Sequence, residues 1–229
     1  MAGQDAHLCA KFFVHSDSCK SRSGHVDFVR RRSVKVMKYL QRIVTGLFIG
    51  VGGMVYLNVM PSPLAPFLFS IGLISVVLTG GELYTGRIGF FPLEDRAGFL
   101  RNVLDYAAML LCNLLGAALA GLAARCVYTV DVSALIAGKA AQSPLQVFLL
   151  GIGCGMMMYI AVSGYKKTQN LLLLIAPVAV FIFAKFDHCV ADAFYLACAG
   201  GGVSWWYLPL VVAGNTAGSI ALHRITNAK

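Results

Sequence analysis

The apolar part of this chain is written in two similar halves, and this duplication limits the folds that it can adopt. A glycine-rich run at residues 50–56 opens one hydrophobic segment, and a similar run at 151–159 opens another about a hundred residues later. Further along, each half carries an asparagine followed three residues later by a glycine: Asn113 and Gly116, then Asn215 and Gly218. The chain is therefore predicted to contain two structurally related repeats.

A polar insert interrupts the middle hydrophobic run of each half, at residues 80–86 and at residues 186–192. Each half thus reads as three spans with the middle one broken, and an odd number of spans turns the second half upside down relative to the first. Broken helices that meet near the centre of a bilayer are typical of solute pathways. The pattern predicts an all-α membrane protein with six transmembrane helices, arranged as an inverted 3+3 repeat with broken second and fifth helices.

The composition supports a membrane protein, because 58% of the residues are hydrophobic and only 13% are charged, against roughly a quarter charged in soluble domains. Apolar runs long enough to cross about 30 Å of hydrocarbon as helices recur along the chain. Helices are expected because unpaired backbone amides are not tolerated in lipid. The predicted spans are residues 43–60, 64–79 with its broken continuation, 103–124, 145–164, 171–184 with its continuation to 199, and 205–222.

The formal charge of +9 is concentrated at the N-terminus, where residues 1–42 hold nine Lys and Arg against three Asp. Because this cluster adjoins the first span, the positive-inside rule favours a cytoplasmic tail over a nucleic-acid-binding one. Six spans then return the C-terminus to the same side. We expect a multi-pass protein of the cytoplasmic (inner) membrane, with a tail at 1–42 and a channel domain at 43–229, whose repeats cover about 43–125 and 145–225.

The two inserts also carry the candidate chemistry. A break in a transmembrane helix creates helix ends at membrane depth, and the free amides of helix N-termini attract anions. His188 lies in the second insert, beside Asp187 and four residues before Asp192. Ionisable groups inside spans mark pathways or proton relays, and histidine exchanges protons near neutral pH. We therefore expect a small-anion pathway centred on His188, with Asp192 either orienting its ring or bonding nearby backbone.

Three further polar residues accompany His188. Thr85 closes the first insert as the repeat-related equivalent of His188, and its hydroxyl is expected to bond an anion, the imidazole or backbone. Lys139 is an isolated cation on the outer side, and it either steers anions into a vestibule or is a solvated loop residue. Lys185 is a cation in an apolar span, where it either pairs with a neighbouring aspartate or lines a cavity.

Large apolar side chains flank the two breaks. Hydrophobic constrictions exclude hydrated ions from pores, although packing is the default interpretation for any one of these residues. The candidates are Phe69, Leu73, Leu83, Tyr84, Met158 and Phe181. The two Asn-x-x-Gly pairs and the glycine-rich faces indicate close contacts between helices.

Residues 79–85, residues 186–192 and the two Asn-x-x-Gly signatures together resemble the formate/nitrite transporter family, over about residues 40–225. The resemblance implies a pentamer of six-helix protomers, each with its own pore and an aquaporin-like inverted repeat. It also implies that formate, nitrite, hydrosulfide and related small monovalent anions cross the lipid membrane without a prosthetic group. We expect no cofactor, bound metal, catalytic residue or nucleic-acid partner.

In this resemblance His188 matches the central pore histidine, Thr85 the threonine of the loop that breaks the second span, and Lys139 the vestibule lysine. Lys139 would concentrate the anion, Thr85 and the helix ends would orient it, and His188 would lend positive charge or a proton. Two residues depart from the family pattern. Gly155 stands where a pore asparagine is common, which predicts a wider pore, and Asp192 stands where asparagine is often found.

Two alternatives stay open. An inverted repeat also suits a water or neutral-solute pore, but paired Asn-Pro-Ala motifs are missing from the sequence. A membrane-embedded metal-binding enzyme or regulator would use the acidic residues beside His188 together with the tail. The tail residues concerned are His7, Cys9, His15, Cys19 and His25, whose spacing matches no strong zinc pattern. The sequence has no phosphate-binding loop, which argues against ATP-driven transport.

Overall fold

The structure is a computed structural model that describes residues 16–127 and 131–228, with side chains from Ser33 onward. The chain divides into two compact units, residues 1–38 and residues 39–229. His7, Cys9 and His15 lie outside the described residues, as do the side chains of Cys19 and His25, so the metal-binding interpretation of the tail stays a prediction.

The described residues form helices joined by short connections. In chain order these are α1 (Ser16–Val59), α2 (Ala65–Leu68), α3 (Ile71–Leu78), α4 (Tyr84–Arg87), a 3-10 helix (Ile88–Phe90), α5 (Phe99–Val127), α6 (Ser133–Ala140), α7 (Pro144–Thr168), α8 (Leu172–Phe183), α9 (Cys189–Ala199) and α10 (Tyr207–Asn227). The sequence predicts no helix between the third and fourth spans, where the structure has α6. This additional helix positions one of the candidate site residues.

Within the described residues, three helices are long and apolar enough to cross a membrane, judged by length and composition: Ser33–Val59, Phe99–Val127 and Pro144–Thr168. Shorter apolar helical segments accompany them at Ala65–Leu78, Leu172–Phe183 and Cys189–Ala199. Helix α10 has 21 residues but does not belong to the first group, because residues such as Asn215 and Arg224 reduce its hydropathy. The described part of the chain is thus all-helical and rich in apolar helices.

Both polar inserts end one helix and begin another. Helix α3 ends at Leu78 and α4 begins at Tyr84, with Gly80 at a φ of 67° between them. Helix α8 ends at Phe183 and α9 begins at Cys189, with Lys185 at a φ of 54° between them. A residue with positive φ turns the chain out of a right-handed helix. Each insert therefore redirects the backbone over about five residues.

The side chain of Asn113 in α5 forms hydrogen bonds with the backbone at the first break. Its Oδ1 accepts a hydrogen bond of 2.7 Å from the N–H of Tyr84. Its Nδ2 donates to the carbonyls of Arg42 at 2.8 Å and of Glu82 at 3.1 Å. One buried side chain therefore pairs two backbone groups that the interrupted helix leaves open and also ties the break to α1.

Asn215 of α10 makes the same set of bonds at the second break. Its Oδ1 accepts from the N–H of Cys189 at 3.0 Å, and its Nδ2 donates to the carbonyls of Asp187 at 2.8 Å and Gly151 at 2.9 Å. These bonds make Tyr84 equivalent to Cys189, so the residue before each is also equivalent. The prediction that Thr85 is the repeat-related equivalent of His188 is wrong, because Leu83 occupies that place.

Glycines bring the helices that carry these asparagines into contact with their neighbours. A Cβ on Gly116 of α5 would overlap the carbonyl of Ile43 in α1, and a Cβ on Gly218 of α10 would overlap the carbonyl of Ile152 in α7. The matching contacts make residue 43 equivalent to residue 152. The apparent echo between the runs at 50–56 and 151–159 is therefore out of register.

Gly155 has the packing role that its glycine-rich run indicates. A Cβ at this position would overlap the carbonyl of Asn215, so the residue lies against the backbone of α10. The expectation that Gly155 widens a pore is wrong, because its position has no room for a side chain of any kind.

We expect Gly116→Ala to destabilise the protein by about 1–3 kcal/mol, the usual cost of overpacking, because the new methyl group meets backbone that cannot yield. The thermal unfolding midpoint of the detergent-solubilised protein measures the effect. Gly138→Ala in exposed α6 is the matched control, since a Cβ there meets nothing within 4 Å. Equal midpoints for the two variants would contradict the close crossing of α1 and α5.

Candidate functional site

A cavity of about 460 Å³ opens beside the break between α8 and α9. We call it the vestibule and define it by its lining residues, which come from α1, α6, α8, α9 and the break itself. Those that are Lys, Asp or His are Lys139, Lys185, Asp187, His188 and Asp192. The second insert thus contributes most of the polar wall, as its sequence suggested.

His188 lies at the wall of the vestibule and is 2% exposed. It is the N-cap of α9, and its Nδ1 accepts a hydrogen bond of 3.0 Å from the N–H of Ala191. Its Nε2 lies 2.9 Å from Oγ1 of Thr85. Because a backbone amide can only donate, Nδ1 carries no proton, and the neutral ring holds its proton on Nε2 and donates it to Thr85.

This geometry corrects the expectation that His188 lends positive charge to the pathway. Protonation of Nδ1 would set one donor against another and break the N-cap of α9. The ring of Phe181 stacks on the imidazole at a centroid distance of 5.6 Å and an interplanar angle of 19°. The arrangement holds His188 as a neutral hydrogen-bond donor whose Nε2–H is directed at Thr85.

Lys139 of α6 is ion-paired and nearly buried, with a side chain 12% exposed. Its Nζ lies 2.7 Å from Oδ1 of Asp187 and 2.7 Å from Oδ1 of Asp192. The hydroxyl of Tyr207 lies 3.1 Å from the same Nζ. Lys139 is therefore neither a solvated loop residue nor an isolated cation, because its ammonium forms ion pairs with two carboxylates.

Burial disfavours the ammonium of Lys139, but the carboxylates of Asp192 and Asp187 outweigh burial and hold its pKa above the ordinary value. A raised pKa keeps a lysine protonated at every pH below it. Lys139 consequently stays charged throughout the physiological range.

The interpretation that Asp192 orients the ring of His188 is wrong. Its Oδ1 bonds Lys139, and its Oδ2 lies 3.1 Å from the hydroxyl of Tyr207. The same hydroxyl lies 3.0 Å from Oδ1 of Asp187. Tyr207 is thus a member of the network that sequence reasoning missed, since an aromatic residue at the start of an apolar helix gives no signal of its role.

The network holds two carboxylates against one ammonium. Asp187 is fully buried, and its second oxygen, Oδ2, has no hydrogen-bond partner among the described residues. When both aspartates are ionised, the side chains of Lys139, Asp187 and Asp192 sum to one negative charge. The wall of the vestibule is therefore short of positive charge at this point.

The first break also carries an acidic residue, and its surroundings differ. Glu82 is equivalent to Asp187, because each gives its carbonyl to an asparagine side chain. Its carboxylate pairs with Arg87 and, at 2.7 Å, with the buried Arg42. The Nε atom of Arg42 forms the ion pair with Glu82, and its Nη2 atom pairs with Asp105 at 2.8 Å. Arginine therefore compensates the acid at this break.

Three of the amides expected to attract an anion are already bonded. The first N–H of α4 and the first N–H of α9 donate to the asparagines, and the N–H of Ala191 donates to His188. The prediction of an anion site made from free amides is therefore wrong for these three donors, and it stays a prediction for the other amides at the two breaks.

The candidate constriction residues are all buried, and ring contacts link two of them. Phe69 meets Phe181 edge-on at 5.8 Å, and Phe181 in turn stacks on His188 and lines the vestibule. Tyr84 bonds Thr216 through its hydroxyl at 2.8 Å. Those that are buried without lining the vestibule are Phe69, Leu73, Leu83, Tyr84 and Met158. Within the described part of the chain, no group of three or more His, Cys, Asp or Glu is arranged to hold a metal ion.

Apolar helices interrupted around a buried polar wall define a helical membrane transport protein. The family model for formate/nitrite transporters matches residues 29–228. The chain belongs to the formate/nitrite transporter family, which is a family of transporters and channels and not of enzymes.

Similar proteins have been described in bacteria and archaea. The formate channel FocA of Haemophilus influenzae is 30% identical over 146 residues, which cover 56% of this chain and 51% of that protein. A probable formate transporter of Methanothermobacter thermautotrophicus is 25% identical over 60% of this chain and 62% of its own length. The chain thus matches only half to two-thirds of the length of these relatives.

Solved structures match over more of the chain. A pentameric formate channel with formate bound has a TM-score of 0.70 at 24% identity, and the match covers 85% of this chain and 96% of that one. An ion channel of the same family has a TM-score of 0.73 at 20% identity, with 92% and 96% covered. At these identities the likeness shows the fold.

We expect Lys139→Met to destabilise the protein by about 3–5 kcal/mol, because it leaves two buried carboxylates without their cation. Asp192→Asn is the matched comparison, since an amide keeps hydrogen bonds to Lys139 and Tyr207 while removing the surplus negative charge. Thermal unfolding midpoints of the purified proteins should fall strongly for the first variant and stay close to the native value for the second. The reverse order would contradict a compensating role for Lys139.

Proposed function

We propose that this protein is a channel or transporter for small monovalent anions, with formate as the first candidate substrate and nitrite or hydrosulfide as the next. Family membership supports the transport class. Formate is named for two relatives and for a solved structure of the same fold. The substrates of this chain are inferred from these proteins and from the chemistry of its vestibule.

We further propose six membrane spans arranged as an inverted 3+3 repeat, with the second and fifth spans broken. The matched bonds of Asn113 and Asn215 and the matched crossings at Gly116 and Gly218 support this arrangement. A homopentamer in the cytoplasmic membrane, with both termini cytoplasmic, is proposed from the pentameric formate channel and from the basic N-terminal segment.

The observation that carries the pathway proposal is the 2.9 Å contact between Nε2 of His188 and Oγ1 of Thr85. An anion that enters from the vestibule is proposed to replace Thr85 as the acceptor of the Nε2–H. The hydroxyl of Thr85 is then free to donate to the same anion. Two donors converge on the anion where the protein otherwise offers apolar side chains, and this compensates part of its lost hydration.

The remaining candidate residues complete the proposed pathway. Lys139 and Asp192 belong to its wall as parts of the ion-paired network. The apolar residues around His188 are proposed to exclude hydrated ions: Phe69, Leu73, Leu83, Tyr84, Met158 and Phe181. If protons move with the anion, we propose that they cross as the neutral weak acid formed near His188, because the ring itself is held neutral by its bond to Ala191.

His188→Ala is expected to lower formate flux at least about tenfold, because a hydrogen bond to a charged group is worth about 1.5–3 kcal/mol. The measurement is uptake into proteoliposomes that hold the purified protein, at two pH values, with formate, nitrite and hydrosulfide compared. Undiminished flux and unchanged pH dependence in the variant would refute the role of the histidine. Rapid passage of water or a neutral solute by the native protein, without anion flux, would favour the alternative pore.

Thr85→Val and Thr85→Ser form a matched pair that tests the hydroxyl separately from the side-chain volume. Valine removes the donor and is expected to lower formate flux severalfold, whereas serine keeps the hydroxyl and should stay within about twofold of native. The same proteoliposome assay measures both variants. Equal flux through them would show that the hydroxyl takes no part in passage.

A further inference from the structure

One cation in the wall of the vestibule is not used by the network around Tyr207. Lys185 lines the vestibule, and its residue is exposed. Among the described residues it enters no ion pair, although Asp187 and Asp192 line the same cavity. Both carboxylates turn to Lys139 instead. Lys185 therefore presents a full positive charge to whatever enters the vestibule.

The backbone at Lys185 makes this choice of residue unusual. Its φ of 54° lies in the left-handed region, which glycine adopts freely and other residues adopt at a cost. The equivalent position of the first break is Gly80, with a φ of 67°, four residues before Tyr84 as Lys185 is four residues before Cys189. A lysine where glycine would fit more easily indicates that the side chain has a use.

The net charge of the vestibule wall indicates what the side chain of Lys185 does. Lys139, Asp187 and Asp192 together carry one negative charge when both acids are ionised, and Oδ2 of Asp187 has no partner in the described part of the chain. An anion that met only this network would be repelled. When Lys185 is included, the formal charge of the vestibule wall is zero. Lys185 is also exposed, whereas the ion-paired residues are buried or nearly so.

We propose that Lys185 is the residue that captures the anion in the vestibule, and that Lys139 is a positioning residue that pairs with the two aspartates and leaves one of their two negative charges uncompensated. The ligand class is a small monovalent anion, so the inference rests on the proposed function. It assigns entry to a residue three positions before His188, on the path from the vestibule to the Nε2–H. Lys139 holds the wall together but offers no free charge to the anion.

Three substitutions at this position separate charge from backbone conformation. Lys185→Gly removes the charge while relieving the left-handed strain, so we expect an unfolding midpoint at or above the native value. Its half-saturation concentration for formate should rise about five- to tenfold, as expected for loss of one nearby unit charge in a wet site. Lys185→Gln should behave likewise in flux, and Lys185→Arg should stay within about twofold of native.

A charge can also be restored chemically at the same point. In Lys185→Cys, aminoethyl methanethiosulfonate attaches an ammonium group, and sulfonatoethyl methanethiosulfonate attaches a sulfonate. The first reagent should lower the half-saturation concentration toward the native value, and the second should raise it further. Native protein treated with each reagent is the control, because it contains other cysteines, of which Cys126 is exposed.

The outcomes distinguish the inference from the function on which it rests. Saturable formate flux through native protein with the same half-saturation concentration in Lys185→Gly would overturn the role of Lys185 and leave the anion channel intact. Opposite effects of the two reagents on Lys185→Cys would support it, and equal effects would overturn it. Absence of anion flux from correctly assembled native protein would refute the proposed function and this inference together.

Discussion

The bonds between two asparagine side chains and the interrupted helices are the interaction on which the rest of this structure depends. A helix that breaks inside an apolar bundle leaves amides and carbonyls without partners, and in lipid these groups have no water to turn to. Asn113 and Asn215 each accept one amide proton and donate to two carbonyls. Because these bonds fix where α4 and α9 begin, they also decide that Thr85 and His188 meet.

At both breaks an asparagine forms hydrogen bonds with the backbone, but the acidic residues are paired with different cations. Arginine compensates Glu82 at the first break, whereas at the second break Asp187 shares a single lysine with Asp192. The two breaks are therefore alike in their backbone hydrogen bonds and unlike in their ion pairs. The acid at the first break is compensated by arginines, and the network at the second break carries one negative charge when both aspartates are ionised.

The sequence predicts the kinds of elements well, and it predicts their register poorly. Glycine-rich polar inserts in apolar runs located both breaks, and an ionisable residue inside a span singled out His188. Composition and periodicity contain no information on which residues of two inserts of unequal sequence are equivalent, so Thr85 was matched to His188 where Leu83 belongs. The pairing of Lys139 with Asp187 joins residues 48 positions apart through the additional helix α6. A contact of that kind arises from tertiary packing, which no local pattern records.

Backbone amides at the start of α9 donate to the side chains of Asn215 and His188, and this affects which groups remain to bind a ligand. If the helix ends held the anion through free N–H groups, the backbone would set the selectivity, and the fold would leave little to vary. Here the amide of Cys189 is bonded to Asn215 and the amide of Ala191 to His188. These two amides are not available to a ligand, whereas a vestibule side chain such as that of Lys185 can change without disturbing the bonds that hold the breaks. Side chains of the vestibule can therefore change while the backbone fold stays the same. The solved formate channel fits this view, since it matches the fold with a TM-score of 0.70 at only 24% identity.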